Sequence, residues 1–360
     1  MSLPPFGSDN YAATHPEVLA AIADANDGYA VAYGDDPWTT RLDEVVQELF
    51  GTGATAFPVL NGTGANVIGL MATAPRWAGV VASDVAHAHT DENGAPERVG
   101  GLKLLTRPVT DGRLTVADVE AWAGDLGDVH SAQPAVLTLT QATELGTVYR
   151  VAELRALTEV LDRHPGVWVL TDEIYAELNF QPFTRFTDAA PGLQDRTLTV
   201  NGVSKAWSMT GWRIGWGIGP AALIKAMAAV QGQVTSGACS IAQAAALAAL
   251  TGDQAGLAIR REELRTRRDR VVAALQAVPG FDCPSPDGAF YVFPRITGAM
   301  AATGHATDAD FCRWLLLDHG VALVPGRAFG LPGHLRLSFA YSDADLAKGL
   351  SRIASAVGAR

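Results

Sequence analysis

Seven short apolar runs between residues 55 and 219 alternate with helical or glycine-rich segments, and that alternation restricts the architecture more than any other feature. The runs are TAFPVL (55–60), GVVAS (79–83), LKLLT (102–106), AVLTLT (135–140), VWVLTDEIY (167–175), RTLTVNG (196–202) and RIGWGIG (213–219). Several are continuously apolar, which suits strands buried on both faces. Helical patterns follow the turn NGTGAN and recur at 115–123 and 151–163. A strand that pairs in parallel with a neighbour needs a crossover, usually a helix. The expected class is therefore α/β, with a mainly parallel sheet in a large domain. After Gly219 the texture changes. Helical stretches at 221–232 and 240–251 precede a long charged one, GLAIRREELRTRRDRVVAALQAV, and then the short strands FYVFPRI, VALVPG and HLRLSFA mix with helices at 307–319 and 343–357. This second texture predicts a smaller C-terminal α+β domain, with the division at 1–240 and 241–360. Ahead of the first strand, Pro16 and Pro37 each open a predicted helix, and Gly51 stops the second.

Composition bears mainly on partners. A net charge of −11 argues against nucleic acid or an anionic membrane as partner. Any anion must then be held by a local device. The 3 cysteines, Cys239, Cys283 and Cys312, are odd in number and widely spaced, which fits a reducing cytoplasm. The opening MSLPPFGSDN carries neither a basic nor an apolar leader region, so no signal peptide is expected, and apolar runs such as AAALAAL (244–250) are too short to span a bilayer.

Three segments carry chemistry. In NGTGAN, Gly62-Thr63-Gly64 lies between a strand and a helix, where backbone N–H groups and the helix dipole suit an anion. A plain strand-to-helix turn has the same appearance. Asp172 ends the apolar run of TDEIY, and Tyr175 follows three residues later. The carboxyl end of a parallel strand is where open α/β sheets bind ligands, although an isolated aspartate there also reads as a cap or turn. In SKAWSMTGWRIGW, Lys205 sits among apolar residues, with Ser204 before it and Arg213 eight residues after it. Desolvation favours the neutral, nucleophilic amine of such a lysine, and an arginine fork suits phosphate. An ordered set of glycine-rich turn, acid, lysine and arginine matches the needs of pyridoxal 5'-phosphate: a lysine for the covalent link, an acid for the pyridinium nitrogen and a cup for the phosphate.

The run NGVSKAWSMTGWRIGWGIGP closely resembles the lysine motif of class I/II aminotransferases, which are fold type I pyridoxal phosphate enzymes; TDEIYAEL, GACSIAQAAALAAL, DGAFYVFP and LRLSFA resemble the same family. The likeness covers about 165–360. It implies that Lys205 carries the cofactor, Asp172 pairs with its pyridinium nitrogen and Tyr175 contacts its ring oxygen. It further implies that Ser204 and Arg213 hold the phosphate and that Arg336 binds the substrate carboxylate. Residues 1–160 look different. FGSDNYAATHPEVLAAI, YGDDPWTTRL, NGTGAN, AHAHTDENGAPERVGG and TQATELGTVY are similar to low-specificity threonine aldolases, also of fold type I. That resemblance implies that His87 stacks on the cofactor ring, that Gly62, Thr63 and Gly64 bind phosphate, and that Ser8 helps hold the substrate carboxylate. Tyr33 is expected to reach the phosphate of a partner subunit in a homodimer with shared active sites.

The two halves depart from each other's pattern. Tyr175 stands where the aldolases place an arginine, and the lysine segment is complete in its aminotransferase form. Conversely, the aminotransferase Asn-Pro-x-Gly turn is replaced by Thr143-Glu144-Leu145-Gly146, so Thr143 takes the asparagine's place beside the cofactor. The reading is an aminotransferase moving the amino group of an L-amino acid to a 2-oxo acid, in the cytoplasm and without a metal. Retro-aldol cleavage of β-hydroxy-α-amino acids is the first alternative, with His87 or His89 as base; a cofactor-binding hybrid with little turnover is the second. His89 is expected on the same face of an extended segment as His87.

Overall fold

The computed structural model describes residues 15–31, 34–50 and 55–358, so the candidates Ser8 and Tyr33 lie outside the described residues. Its main sheet holds β1 (Thr55–Val59), β2 (Ala78–Ser83), β3 (Lys103–Arg107), β4 (Gln133–Thr140), β5 (Trp168–Asp172), β6 (Thr197–Gly202) and β7 (Gly215–Gly219). Their spatial order is β1-β7-β6-β5-β4-β2-β3. Strands β3, β2, β4, β5 and β6 pair in parallel, whereas β7 is antiparallel to both β6 and β1. The sheet is thus mixed, with one reversed strand in an otherwise parallel array, as the mainly parallel expectation requires. Pro58 sits within β1 opposite Trp216. A residue without an N–H is tolerated there because β1 is an edge strand.

The continuously apolar strands are covered on both faces, as their composition demands. Helix Gly62–Thr73 contributes Ala65, Ile68 and Leu70 to a core shared with Val80, Val136, Leu170 and Leu198. Helix Val151–Asp162 places Leu154, Leu157 and Leu161 against Leu137, Leu139 and Val169. Helices Pro16–Ala25 and Pro37–Phe50 begin at their prolines. They pack with helix Ser240–Thr251 over β7, burying Val18, Leu42, Val46, Ala245, Ala246 and Trp216.

Beyond the 22-residue helix Ala255–Gln276, a second sheet is built from β8 (Tyr291–Val292), β9 (Val324–Pro325) and β10 (Leu335–Ser338) in the order β8-β10-β9. Its core includes Ile296, Phe311, Leu315, Leu337, Phe339 and Ile353, all essentially inaccessible. FYVFPRI and VALVPG yield only two paired residues each. Pro294 and Pro325 explain this, since proline supplies no ladder donor. Among the described residues no helix is long and apolar enough to cross a membrane.

Candidate active site

Parallel strands bring their carboxyl ends to one edge of the sheet, and the candidate residues collect there. Asp172 is the last residue of β5, Lys205 follows the end of β6 by three residues, and His87 follows β2 by four. Because β7 is reversed, its first residues arrive at this same edge. Gly215 pairs with Val59 on one side and Gly202 on the other. The approach is close. A Cβ added at Gly215 would stand 2.8 Å from the carbonyl carbon of Asn61, and one added at Gly202 would stand 2.9 Å from the Cα of Gly215. Only residues without side chains let the end of β1, the end of β6 and the start of β7 crowd in this way.

The junction presents the N-terminus of a helix, a chemistry suited to an anion. Asn61 caps helix Gly62–Thr73 by accepting the N–H of Gly64 at 2.7 Å. The first N–H groups of a helix have no partner within it, so those of Gly62 and Thr63 remain for a ligand. The 12-residue helix adds its positive end. Ser204 and Arg213 flank the same junction in the chain, two residues from Gly202 and Gly215 respectively. Arg213 is exposed, has a left-handed φ of 55° and donates to the carbonyl of Thr210.

Beside that helix, the carboxylate of Asp172 lines a cavity together with Asn66, His87, Thr138 and Thr140. It is buried, and it accepts the N–H of Ile174 at 3.1 Å, which turns the chain out of the strand sooner than the sequence suggested. Burial raises the Asp172 pKa, against the pull of the Ile174 N–H and of His87. His87 sits between two acids. Its Nδ1 lies 3.0 Å from Oε1 of Glu92, and its backbone N–H donates to Oε1 of Glu144 at 2.7 Å. Burial alone would lower the His87 pKa, but the hydrogen bond and charge of Glu92 outweigh it, and the pKa is pushed up to about 9. The Glu92 side chain is inaccessible, whereas that of His87 is 45% exposed. Glu144 is pushed up to about 7 by burial, opposed by the His87 N–H. Residues 87–90 form a single helical turn, not an extended segment. Positions two apart on such a turn diverge by about 200°, so His89 does not share the face of His87; it is exposed.

A chain of aromatic rings leads from the lysine to the second sheet. The Nζ of Lys205 lies 5.5 Å from the ring centroid of Phe290. Tyr175 meets Phe290 and Tyr291 edge-on, at 5.8 and 5.9 Å between centroids. Arg336, on β10, holds its guanidinium 5.5 Å from the Tyr291 ring and 4.0 Å from that of Phe329. Aromatic faces hold a guanidinium in place without consuming its hydrogen-bond donors.

Thr143 is placed differently from the rest. Its hydroxyl bonds with Thr147 Oγ1 at 2.7 Å and receives the N–H groups of Leu145 and Thr147, so it serves its own turn. The neighbouring Glu144 is the residue of that turn that touches His87. Sequence reasoning missed Glu92, Glu144, Asn66, Phe290, Tyr291 and Phe329. The resemblance segments NGTGAN, AHAHTDENGAPERVGG, TQATELGTVY and DGAFYVFP contain all of them but Phe329, without singling any out.

The arrangement fits a phosphate-bearing pyridine cofactor on its own chemistry. A buried carboxylate raised by desolvation calls for a cationic N–H, the helix N-terminus calls for an anion, and Lys205 follows β6 at the same edge of the sheet. A family model described as aminotransferase class I and II matches residues 4–353. It includes the N-terminal stretch with aldolase-like motifs. An aspartate aminotransferase of Rhizobium meliloti (strain 1021) is 50% identical over 228 residues, 61% of this chain and 56% of that protein. An aspartate/prephenate aminotransferase of Cereibacter sphaeroides is 50% identical over 215 residues, 58% of this chain and 54% of that protein. The matched stretch thus spans little more than half the length of these curated relatives. A solved aspartate aminotransferase of Rhizobium meliloti superposes with a TM-score of 0.86 at 34% identity, covering 99% of this chain and 91% of that one. The Thermus thermophilus aspartate aminotransferase with maleate gives 0.83 at 27% identity, over 98% and 91%.

Proposed function

The chain belongs to the class I and II aminotransferases, and from that premise we propose that it transfers the amino group of an L-amino acid to a 2-oxo acid with pyridoxal 5'-phosphate. The observation that carries the reading is the run of contacts from Lys205 through Phe290 and Tyr291 to Arg336. It links an amine able to move a proton to an arginine whose fork has no hydrogen bond or ion pair among the described residues. When bound, the cofactor supplies a carbonyl that condenses with amino groups and a ring that accepts the charge left when a bond to Cα breaks. The rest falls to the chain. Arg336 grips the substrate carboxylate in two parallel N–H···O bonds, and that grip fixes which bond at Cα faces Lys205. The Lys205 Nζ takes the Cα proton and returns it on the other side of the transfer. Asp172 would hold the positive charge of the pyridine nitrogen, Tyr175 would serve the ring oxygen, and the Gly62–Gly64 turn with Ser204 and Arg213 would hold the phosphate.

L-Aspartate, the amino acid in the relatives' names, is the first donor to test. Protein loaded with pyridoxal phosphate and given L-aspartate without an oxo acid should yield stoichiometric pyridoxamine phosphate and the matching oxo acid. Catalytic release of glycine and acetaldehyde from L-threonine, with no pyridoxamine phosphate from any donor, would overturn the assignment. Arg336→Lys keeps the charge but loses the fork. Losing one of two charge-assisted bonds, about 1.5–3 kcal/mol, predicts that KM for the amino donor rises roughly 10- to 100-fold while kcat changes much less. Steady-state kinetics over a range of donor concentrations checks this, and an unchanged KM removes Arg336 from the site.

We also propose a homodimer acting in the cytoplasm. Support for the dimer comes from Tyr29, Val31 and Val234, apolar side chains exposed in the described structure. Val31 borders a cavity also lined by Gln231, Thr235 and Ser236.

A further inference from the structure

We propose that Glu92 is a positioning residue that holds His87 as an imidazolium against the cofactor cavity, so that the ring there carries a fixed positive charge. This rests on the reading of the cavity as the cofactor site. Glu92 has no accessible side-chain surface, and its Oε1 receives two donors, His87 Nδ1 at 3.0 Å and Asn66 Nδ2 at 2.9 Å. Its Oε2 is buried with no hydrogen-bond partner among the described residues. An ionised carboxylate is kept in such a place only by a counter-charge, and His87 is the only cationic side chain in ion-pair range of it among the described residues. The Asn66 amide is neutral, and buried on a well-packed helix it fixes the orientation of the carboxylate.

The charges facing the imidazole come from several elements. Glu92 and Asp91 lie on its own segment, Asp172 at the end of β5, and Glu144, beyond β4, bonds to its backbone N–H. All are acidic, so every neighbour favours the charged ring. His87 lines the same small cavity as Asp172. A cationic ring adds a positive contribution to the potential in that cavity, against the negative one of Asp172. That contribution disfavours any further proton on a bound cofactor. Asp172 opposes it at the pyridine nitrogen, and the two groups together set where protons reside on the cofactor.

The test has two arms. In the first, the full-length chain without cofactor is labelled with ¹⁵N-histidine, the His87 ring signals are assigned by their loss in His87→Phe, and they are followed from pH 6 to 10. His87 should remain an imidazolium at pH 7.5, and its midpoint should fall by about one pH unit or more in Glu92→Gln. The glutamine keeps the size of the side chain and its bond to Asn66. A neutral His87 at pH 7.5 in the unmodified chain overturns the proposal even if the variant does not fold, and so does an unchanged midpoint in the variant. In the second arm, the visible absorbance of the pyridoxal phosphate-loaded protein is titrated. Removal of the fixed cation should raise its midpoint in both His87→Phe and Glu92→Gln; an unshifted midpoint in Glu92→Gln also overturns the proposal. Failure of the unmodified chain to develop any visible band counts instead against the cofactor reading, and the first arm stands apart from it.

Discussion

Replacing Lys205 with alanine is expected to abolish the visible absorbance of the cofactor-loaded protein and to lower turnover at least about 10⁴-fold, because one side chain supplies both the covalent attachment and the proton transfer. Lys205→Arg should fail as completely. Its charge and length are retained, but a guanidinium stays protonated at any working pH. The two variants together separate chemistry from packing: both should keep the fold, since the Lys205 side chain is half-buried and its turn is held by the Ser208 N–H donating to the Lys205 carbonyl at 3.1 Å. Absorbance spectra and single-turnover assays read the outcome. A visible band that persists in Lys205→Ala places the cofactor linkage elsewhere.

Asp172→Asn is expected to lower kcat/KM by 10²–10³-fold, corresponding to about 3–4 kcal/mol for breaking a buried charge pair. The same change should stabilise the chain when no cofactor is bound. Burial raises the Asp172 pKa above its unfolded value, so the folded state binds the proton more tightly. Its stability then declines as pH rises from about 4, the unfolded carboxyl value, through the raised folded value. Asparagine removes that dependence. Thermal unfolding of the cofactor-free protein at pH 5 and pH 8 should show a smaller loss on raising the pH in Asp172→Asn than in the unmodified chain. A variant that loses activity and also unfolds earlier at pH 8 would assign Asp172 a structural role.

The legible part of this molecule was its frame and its charged pivots. The alternation of apolar runs with helices implied the parallel strands, and once strands are parallel their ends must meet, which places Asp172, Lys205 and the Gly62–Gly64 turn at one edge. The reversal of β7 was not legible, because the periodicity of GWGIG has no direction. Glu92 was hidden for another reason. In HTDEN it looks like one more acid in a polar loop, and only the fold turns it inward beneath His87. Thr143 was expected to face the cofactor through a register set by resemblance, whereas its hydroxyl is engaged by Thr147 and Glu144 stands at the site. The expectation for His89 failed over period alone: an extended segment repeats every two residues, and a helical turn does not.

The position of β7 has a bearing on how the chain is made. In the sheet β1 has one neighbour, and that neighbour is β7, whose residues 215–219 lie about 160 positions later. Strands β2 to β6 can pair among themselves as they are synthesised, but the first strand of the sheet and the proposed phosphate cradle at its end must wait. The cradle closes when Gly215 slides between Val59 and Gly202. A nascent chain that stops short of that residue has most of its sheet but not this junction, so on the proposed reading cofactor capture would follow completion of the large sheet rather than its beginning.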